Sequence, residues 1–209
     1  MKSYEMHKNV FITGCLLAAT ALIGTGMMIM VNWHSKPYIV KNERETLLRT
    51  LNSVLPAKIY NNDILNDIVM LTDEQYLGSD KPTIIYRARK DKKPVAAALK
   101  TIAPNGYSGE IVLLVGIQYT GEISGVRVVK HRETPGLGDN IEIQRSNWIT
   151  SFDEKSLNRP KESQWKVKRD GGYFDQFTGA TITPRAIVDA VHKTLIFFEN
   201  NRDKIFLNS

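Results

Sequence analysis

From Asn9 to Ser35 the chain carries no Asp, Glu, Lys or Arg. The core of that run, VFITGCLLAATALIGTGMMIMVNW at residues 10–33, is long enough as a helix to cross the roughly 30 Å hydrocarbon layer of a bilayer. It therefore predicts a transmembrane helix with Trp33 at an interface. A cleaved signal peptide is the competing reading, but its apolar region would run about 7–15 residues and end at a small-residue cleavage site. The Ala19-Thr20-Ala21 triplet lies in mid-run and the far boundary, VNWHSKPY, is bulky. An uncleaved anchor is the better reading. Lys2, Lys8 and the amino terminus lie before it, and Lys36, Lys41 and Arg44 after it. The short tail is expected to stay in the cytoplasm, which puts residues 36–209 outside, in the periplasm of a bacterium.

The chain beyond the anchor is long enough for one ordinary domain. The net charge is +6 for the chain and +5 for residues 36–209. The basic residues are scattered among acidic ones with no dense Lys/Arg tract, so a solvated surface is expected and nucleic acid is not a partner. The one cysteine, Cys15, sits in the anchor. The outer domain thus has no disulfide, no iron–sulfur cluster and no Cys-ligated zinc. His7, His34, His131 and His192 show no metal-ligand spacing. Redox chemistry in such a domain would need an organic cofactor.

Leu47, Leu48, Leu51 and Leu55 recur at helical spacing in NERETLLRTLNSVLP (42–56), which predicts an amphipathic helix ending before Pro56. Four runs then read as strands: 82–89, 94–102, 110–117 and 123–131, separated by KDKK, APNGYSG and QYTGE turns. Consecutive strands with short turns imply an antiparallel meander. QWKVKRDGGYFDQF (164–177) predicts a further strand with a Gly-Gly turn. A closing helix is expected from Pro184, capped by Thr183, with Ile187, Val191, Leu195 and Phe198 as its apolar stripe. The expected fold is α+β, an antiparallel sheet with flanking helices. Its divisions are a tail at 1–9, a transmembrane helix at 10–33, a helical connector leading into the domain at 34–80, and the domain proper at 81–209.

No Gly-x-Ser-x-Gly elbow, Gly-x-Gly-x-x-Gly turn or Walker A loop is present. By elimination the loops at 131–140 and 175–184 are the candidate site. A helix beginning near Pro184 aims its free amides and positive dipole end at residues 180–183, where a phosphate would be stabilised. Gly179 and Ala180 remove side-chain bulk beside the hydroxyls of Thr181 and Thr183.

DQFTGAT (175–181) resembles the flavinylation motif D-x-x-[S/T]-G-A-[S/T] of the FMN-binding domain family. In that family FMN is joined by its phosphate to the hydroxyl of the motif's last residue. The resemblance implies a covalent phosphoester at Thr181, with Asp175, Thr178, Gly179 and Ala180 framing it for a flavin transferase and Thr183 close by. The anchor, the strand run, GYSGEIVLLVGI (106–117) and HRETPGLGDNI (131–141) are similar to the G-subunit family of the Rnf (Rsx) ion-translocating electron transport complex, a relative of the C-subunit family of the sodium-translocating NADH:quinone reductase. That family implies FMN contacts at Glu133, Thr134, Gly136, Leu137 and Gly138.

The resemblance further implies an electron carrier in the bacterial inner membrane, a subunit of a redox-driven ion translocase rather than a complete enzyme, whose partners are the complex's other membrane subunits. In some bacteria such a complex is tied to re-reducing a redox-sensing transcription factor. Arg132, Lys168 and Arg169 are cations able to favour an anionic reduced flavin. Two alternatives stand beside this reading: a non-redox membrane-anchored scaffold or assembly module, and a flavinylated relay of another respiratory complex.

Overall fold

The computed structural model describes residues 2–207; for residues 2–13, 15, 16, 37, 39 and 40 the helical backbone alone is described. Most of the expected tail at 1–9 is thus backbone only, and Met1 lies outside the described residues. The chain divides into two compact units, Met1–Leu47 and Leu48–Ser209. Helix α1 is assigned over Lys2–Asn52. In the first unit its apolar side chains stand open, with Leu22 and Met28 both 74% exposed. Leu17–Asn52 is long and apolar enough to cross a membrane, and apolar side chains uncovered in this way are suited to lipid.

The second unit is built on a five-stranded antiparallel sheet in the order β1-β2-β3-β4-β5. The strands are β1 (Ile68–Asp73), β2 (Ser79–Lys90), β3 (Lys93–Gly106), β4 (Gly109–Gln118) and β5 (Ile123–Lys130). A short helix, α2 (Glu74–Leu77), follows β1, and α3 (Ile182–Phe206) closes the described chain. Strands β2–β5 are the meander that the sequence predicts. β1 is additional; it is an edge strand with no fully buried residue, so it carries no core signature to read.

Both faces of the sheet are covered, and side-chain alternation sorts its residues between them. Ala97, Leu99, Leu113 and Val115 join α3's Ile187, Val191, Leu195 and Phe198 in one core. Ala96, Ala98 and Leu114 face the other way and pack with Leu51, Val54, Leu55 and Ile64. The expected α3 stripe is thus buried as read. Each fully buried side chain of this size contributes roughly 1.5–3 kcal/mol.

Two expectations change. The predicted helix over 42–56 stops at Asn52, where the Ser53 hydroxyl donates to the Thr50 carbonyl (2.7 Å) and turns the chain before Pro56. Val54 and Leu55 still reach the core, but from this turn, pressed onto the sheet: a Cβ on Gly116 would lie 2.5 Å from the Val54 carbonyl oxygen. The predicted strand over 164–177 does not form. Within the segment there is one isolated bridge, Val167 to Phe174, around a turn in which Gly171 is left-handed at φ 81°, and the segment's last residue, Phe177, bridges to Ala180. The turn folds back on itself at Gly172, where a Cβ would meet the Lys166 carbonyl oxygen at 1.9 Å.

The end of α3 is tied to the sheet by buried charge. Asp67 accepts from Arg87 Nε on one carboxylate oxygen and from Arg89 Nε (2.9 Å) on the other. The same guanidinium groups donate onward to the carbonyls of Leu207 (3.0 Å) and Phe206 (3.1 Å), which the helix leaves without partners. Asp67→Ala would strand two cations that are only 8% and 9% exposed. It is expected to cost about 3–5 kcal/mol, measured as a fall in the urea midpoint of the detergent-solubilised protein. A midpoint within error of wild type would show that solvent already compensates these arginines.

Candidate functional site

The hairpin between β3 and β4 turns through Gly106, Tyr107, Ser108 and Gly109, with Gly106 paired to Gly109. Beyond β5 the chain enters the loop His131–Gly138, and the start of α3 completes the group. One carboxylate holds the three together. Glu133 is 4% exposed; its Oε1 accepts from the Ser108 amide at 2.9 Å and its Oε2 accepts from the Thr183 hydroxyl. The fit leaves no slack: a Cβ on Gly138 would approach Glu133 Cβ to 2.9 Å.

Side chains within the loop set its shape. The Glu133 amide donates to His131 Nδ1 (3.0 Å), so the ring proton sits on Nε2 and is donated to Glu142 Oε1 at 2.7 Å. The Gly138 amide donates to the Thr134 carbonyl (3.0 Å), and Asp139 Oδ1 accepts from the Gly136 amide (2.7 Å), closing the Pro-Gly turn with Gly136 at φ 78°.

The second loop turns at Phe177–Ala180, where the Ala180 amide donates to the Phe177 carbonyl (3.2 Å) and Gly179 takes φ 82°. That left-handed geometry favours glycine. It also brings the two loops together, since a Cβ on Gly179 would touch Leu137 Cδ2 at 3.7 Å. Asp175 is fixed on both sides: Lys168 pairs with its carboxylate (2.7 Å) and Trp148 Nε1 donates to its carbonyl (2.7 Å). Arg185 grips Asp170 with two bonds, at 2.5 and 2.6 Å, and this partnership holds the Asp170 carboxyl below its usual pKa.

Helix α3 begins at Ile182, two residues before the start that Pro184 suggests, and Thr181 is its N-cap position. Thr183 is therefore not the cap. It lies inside the first turn, 0% exposed, with its hydroxyl committed to Glu133. Pro184 fits because a first-turn residue needs no amide partner. Thr181 makes no capping bond with its side chain.

Between these segments lies a cavity of about 290 Å³. Its walls are Tyr107, Glu133, Thr134, Leu137, Gly138, Gly179, Ala180, Thr181, Ile182 and Thr183. Of the residues predicted for the site, Asp175, Thr178 and Gly136 stand outside this lining, supporting the loops that form it. The cations Arg132, Lys168 and Arg169 also stand outside, and Glu133 is the one carboxylate in the walls among the described residues. His192 is elsewhere, stacked on Trp165 (5.1 Å, 12°), with its pKa lowered by burial against the opposing pull of Glu162 and Asp189.

A family model described as the FMN-binding domain matches residues 106–196, which contain every wall of this cavity, and a model of the RnfG N-terminal region matches residues 1–54. The G subunit of the ion-translocating oxidoreductase complex of Shewanella amazonensis is 44% identical over 201 residues, covering 96% of this chain and 94% of that one. The chain belongs to this G-subunit family. Relatives of the same description in Erwinia tasmaniensis (49% over 189 residues, 89% of this chain and 88% of that one) and Vibrio cholerae (42% over 192 residues, 92% and 91%) extend the match. With its apolar N-terminal helix, this member of the family is membrane-anchored and carries an FMN-binding domain.

Tyr107 and Ile182 line the cavity without having been picked out by sequence reasoning. The available signal for Tyr107 was an aromatic residue set in a Gly-x-x-Gly turn, where it has no core to fill. Thr183→Val, which keeps the shape and deletes the hydroxyl, is expected to lower stability by about 1–3 kcal/mol by depriving buried Glu133 of a donor. Thr183→Ser should restore most of that loss. Equal denaturation midpoints for wild type and the valine variant would refute the stabilising role of this bond.

Proposed function

We propose that this chain is the electron-carrying subunit of an ion-translocating oxidoreductase complex, with FMN joined through its phosphate to the Thr181 hydroxyl. The observation that carries the reading is the contrast between two neighbouring threonines. Thr181 is half-buried in the cavity wall at the head of α3, with no capping bond to occupy its hydroxyl; Thr183 is fully buried and held by Glu133.

The residues fit the group. The amides of Ile182 and Thr183 precede the first intrahelical bond, from the Arg185 amide to the Thr181 carbonyl, and so are placed to receive phosphate oxygens. Gly179 and Ala180 keep the approach to Thr181 open. Thr134, Leu137 and Gly138 supply a mixed polar and apolar wall for the rest of the molecule. FMN, when bound, supplies the capacity to pass electrons one or two at a time. The chain's own part is to hold and orient it, with buried Glu133 keeping the walls in register. The fixed Asp175 and the Thr178–Gly179 turn present the motif to a flavin transferase.

In this reading residues 1–9 form a cytoplasmic tail, 10–33 cross the bacterial inner membrane, 34–80 connect to and enter the flavin domain, and 81–209 form the rest of that domain in the periplasm. The other membrane subunits of the complex supply and remove electrons. A scaffold without redox chemistry would have no use for a free hydroxyl at a helix N-terminus inside an FMN-binding domain. A relay in another respiratory complex is less well supported, because the relatives share the G-subunit description over nearly the whole chain.

Co-expression with the transferase, followed by peptide mapping, tests the attachment. Thr181→Ala should lose in-gel flavin fluorescence while the protein still inserts and folds, and Thr183→Ser should keep it. FMN mass on a peptide bearing Thr181→Ala, or none in wild type, would overturn the proposal. For orientation, an alkaline phosphatase fused after Ser209 should be active in intact cells, and activity from a cytoplasmic reporter at the same place instead would reverse the topology.

A further inference from the structure

Tyr107 is placed firmly and used for nothing in the fold. It is 68% exposed, more than any other large hydrophobic residue of the second unit. Among the described residues no hydrogen bond or ring contact reaches it, yet the turn that carries it is fixed from both sides. Ser108 is tied through its amide to Glu133, and Gly106 is so close to Gly109 that a Cβ there would lie 2.3 Å from the Gly109 carbonyl oxygen. An aromatic ring held out on an anchored tip exposes apolar surface to water without gaining any packing in return.

The tip borders the cavity that contains Thr181, and it is not alone there. Leu137 and Ile182, each 46% exposed, stand on the other walls, so three separate segments each put one uncovered apolar side chain at the same mouth. At about 290 Å³ the cavity is at the small end of the range of about 300–1,000 Å³ for small-molecule sites. A flavin mononucleotide tethered at the head of α3 would take up this volume with phosphate and ribityl chain and leave its flat ring system at the rim.

We infer that Tyr107 is the stacking partner of the isoalloxazine ring, with Leu137 and Ile182 bordering its edges. This rests on the reading that Thr181 carries FMN. Offset stacking suits a phenol against a flat conjugated ring. A ring backed on one face by Tyr107 keeps its other face toward the solvent and partner side, where an electron carrier needs it. The tyrosine is thus a positioning residue of the flavin, supplied by the β3–β4 hairpin rather than by either of the two loops that carry the predicted contacts.

The test uses the full-length, detergent-solubilised protein co-expressed with the transferase, as wild type, Tyr107→Phe and Tyr107→Ala. Flavin fluorescence is read per attached flavin, as the ratio of native to denatured signal, so that incomplete loading does not enter. A phenol in contact with the ring quenches it, and wild type should be strongly quenched when folded. Tyr107→Ala should raise the ratio several-fold and sharpen the flavin absorption bands. Tyr107→Phe should relieve the quenching while keeping the stacked absorption shape. A flavin-loaded Tyr107→Ala protein with the wild-type ratio and spectrum would overturn the inference. Wild type devoid of flavin would instead overturn the attachment at Thr181.

Discussion

A single carboxylate, that of Glu133, decides where the parts of this site lie. It reaches the β3–β4 turn through the Ser108 amide and the head of α3 through the Thr183 hydroxyl, while its own backbone belongs to the loop after β5. A buried carboxylate without donors would be costly, and hydrogen-bonded groups of this kind specify one arrangement of their neighbours over others. A small residue at 138 is required by the same group, because the Glu133 side chain crowds the space where a Cβ would be. The cavity is the room left over once these contacts are satisfied.

How much of this the sequence discloses depends on whether the signal is local. Strands β2–β5 announce themselves through apolar runs broken by turn formers, and the α3 stripe through its helical period. The segment around Gly172 reads as a strand because Val167 and Phe174 are good strand residues; the close passage of Lys166 over Gly172 is a tertiary fact that no propensity records. The threonine pair is a sharper case. A Thr-Pro step is compatible with a cap followed by a first helical residue, and equally with two positions inside the first turn. A carboxylate fifty positions earlier in the chain settles which, and sequence spacing carries no trace of it. The two motif loops were legible as flavin-family patterns, whereas Tyr107 became visible only once the sheet had carried its hairpin to the same mouth.

Charge is distributed differently from what the composition suggests. A chain of net charge +6 would be expected to meet an anionic cofactor with cations, but no Lys or Arg lines the cavity among the described residues, and two of the nearby basic side chains pair with carboxylates of the adjoining loops. Lys168 steadies Asp175, and Arg185 clasps Asp170 beside the first turn of α3. Arg87 and Arg89 are deeper still, closing the far end of that helix. In the proposed reading the phosphate is met by backbone amides at the head of α3, which are neutral and fixed in direction.

The distances along the chain between these walls have a consequence for how the protein is made. The tip at Tyr107, the loop at Glu133 and the head of α3 come from well-separated stretches, and the last belongs to the final helix of the described chain. During synthesis the strands β2–β5 emerge before α3, so the sheet can begin to pair before the cavity can close. The pocket cannot close before the head of α3 is made. A modifying enzyme working on a finished pocket must wait for the last helix to dock, and one that reads an extended DQFTGAT segment has its opportunity in the interval before that docking.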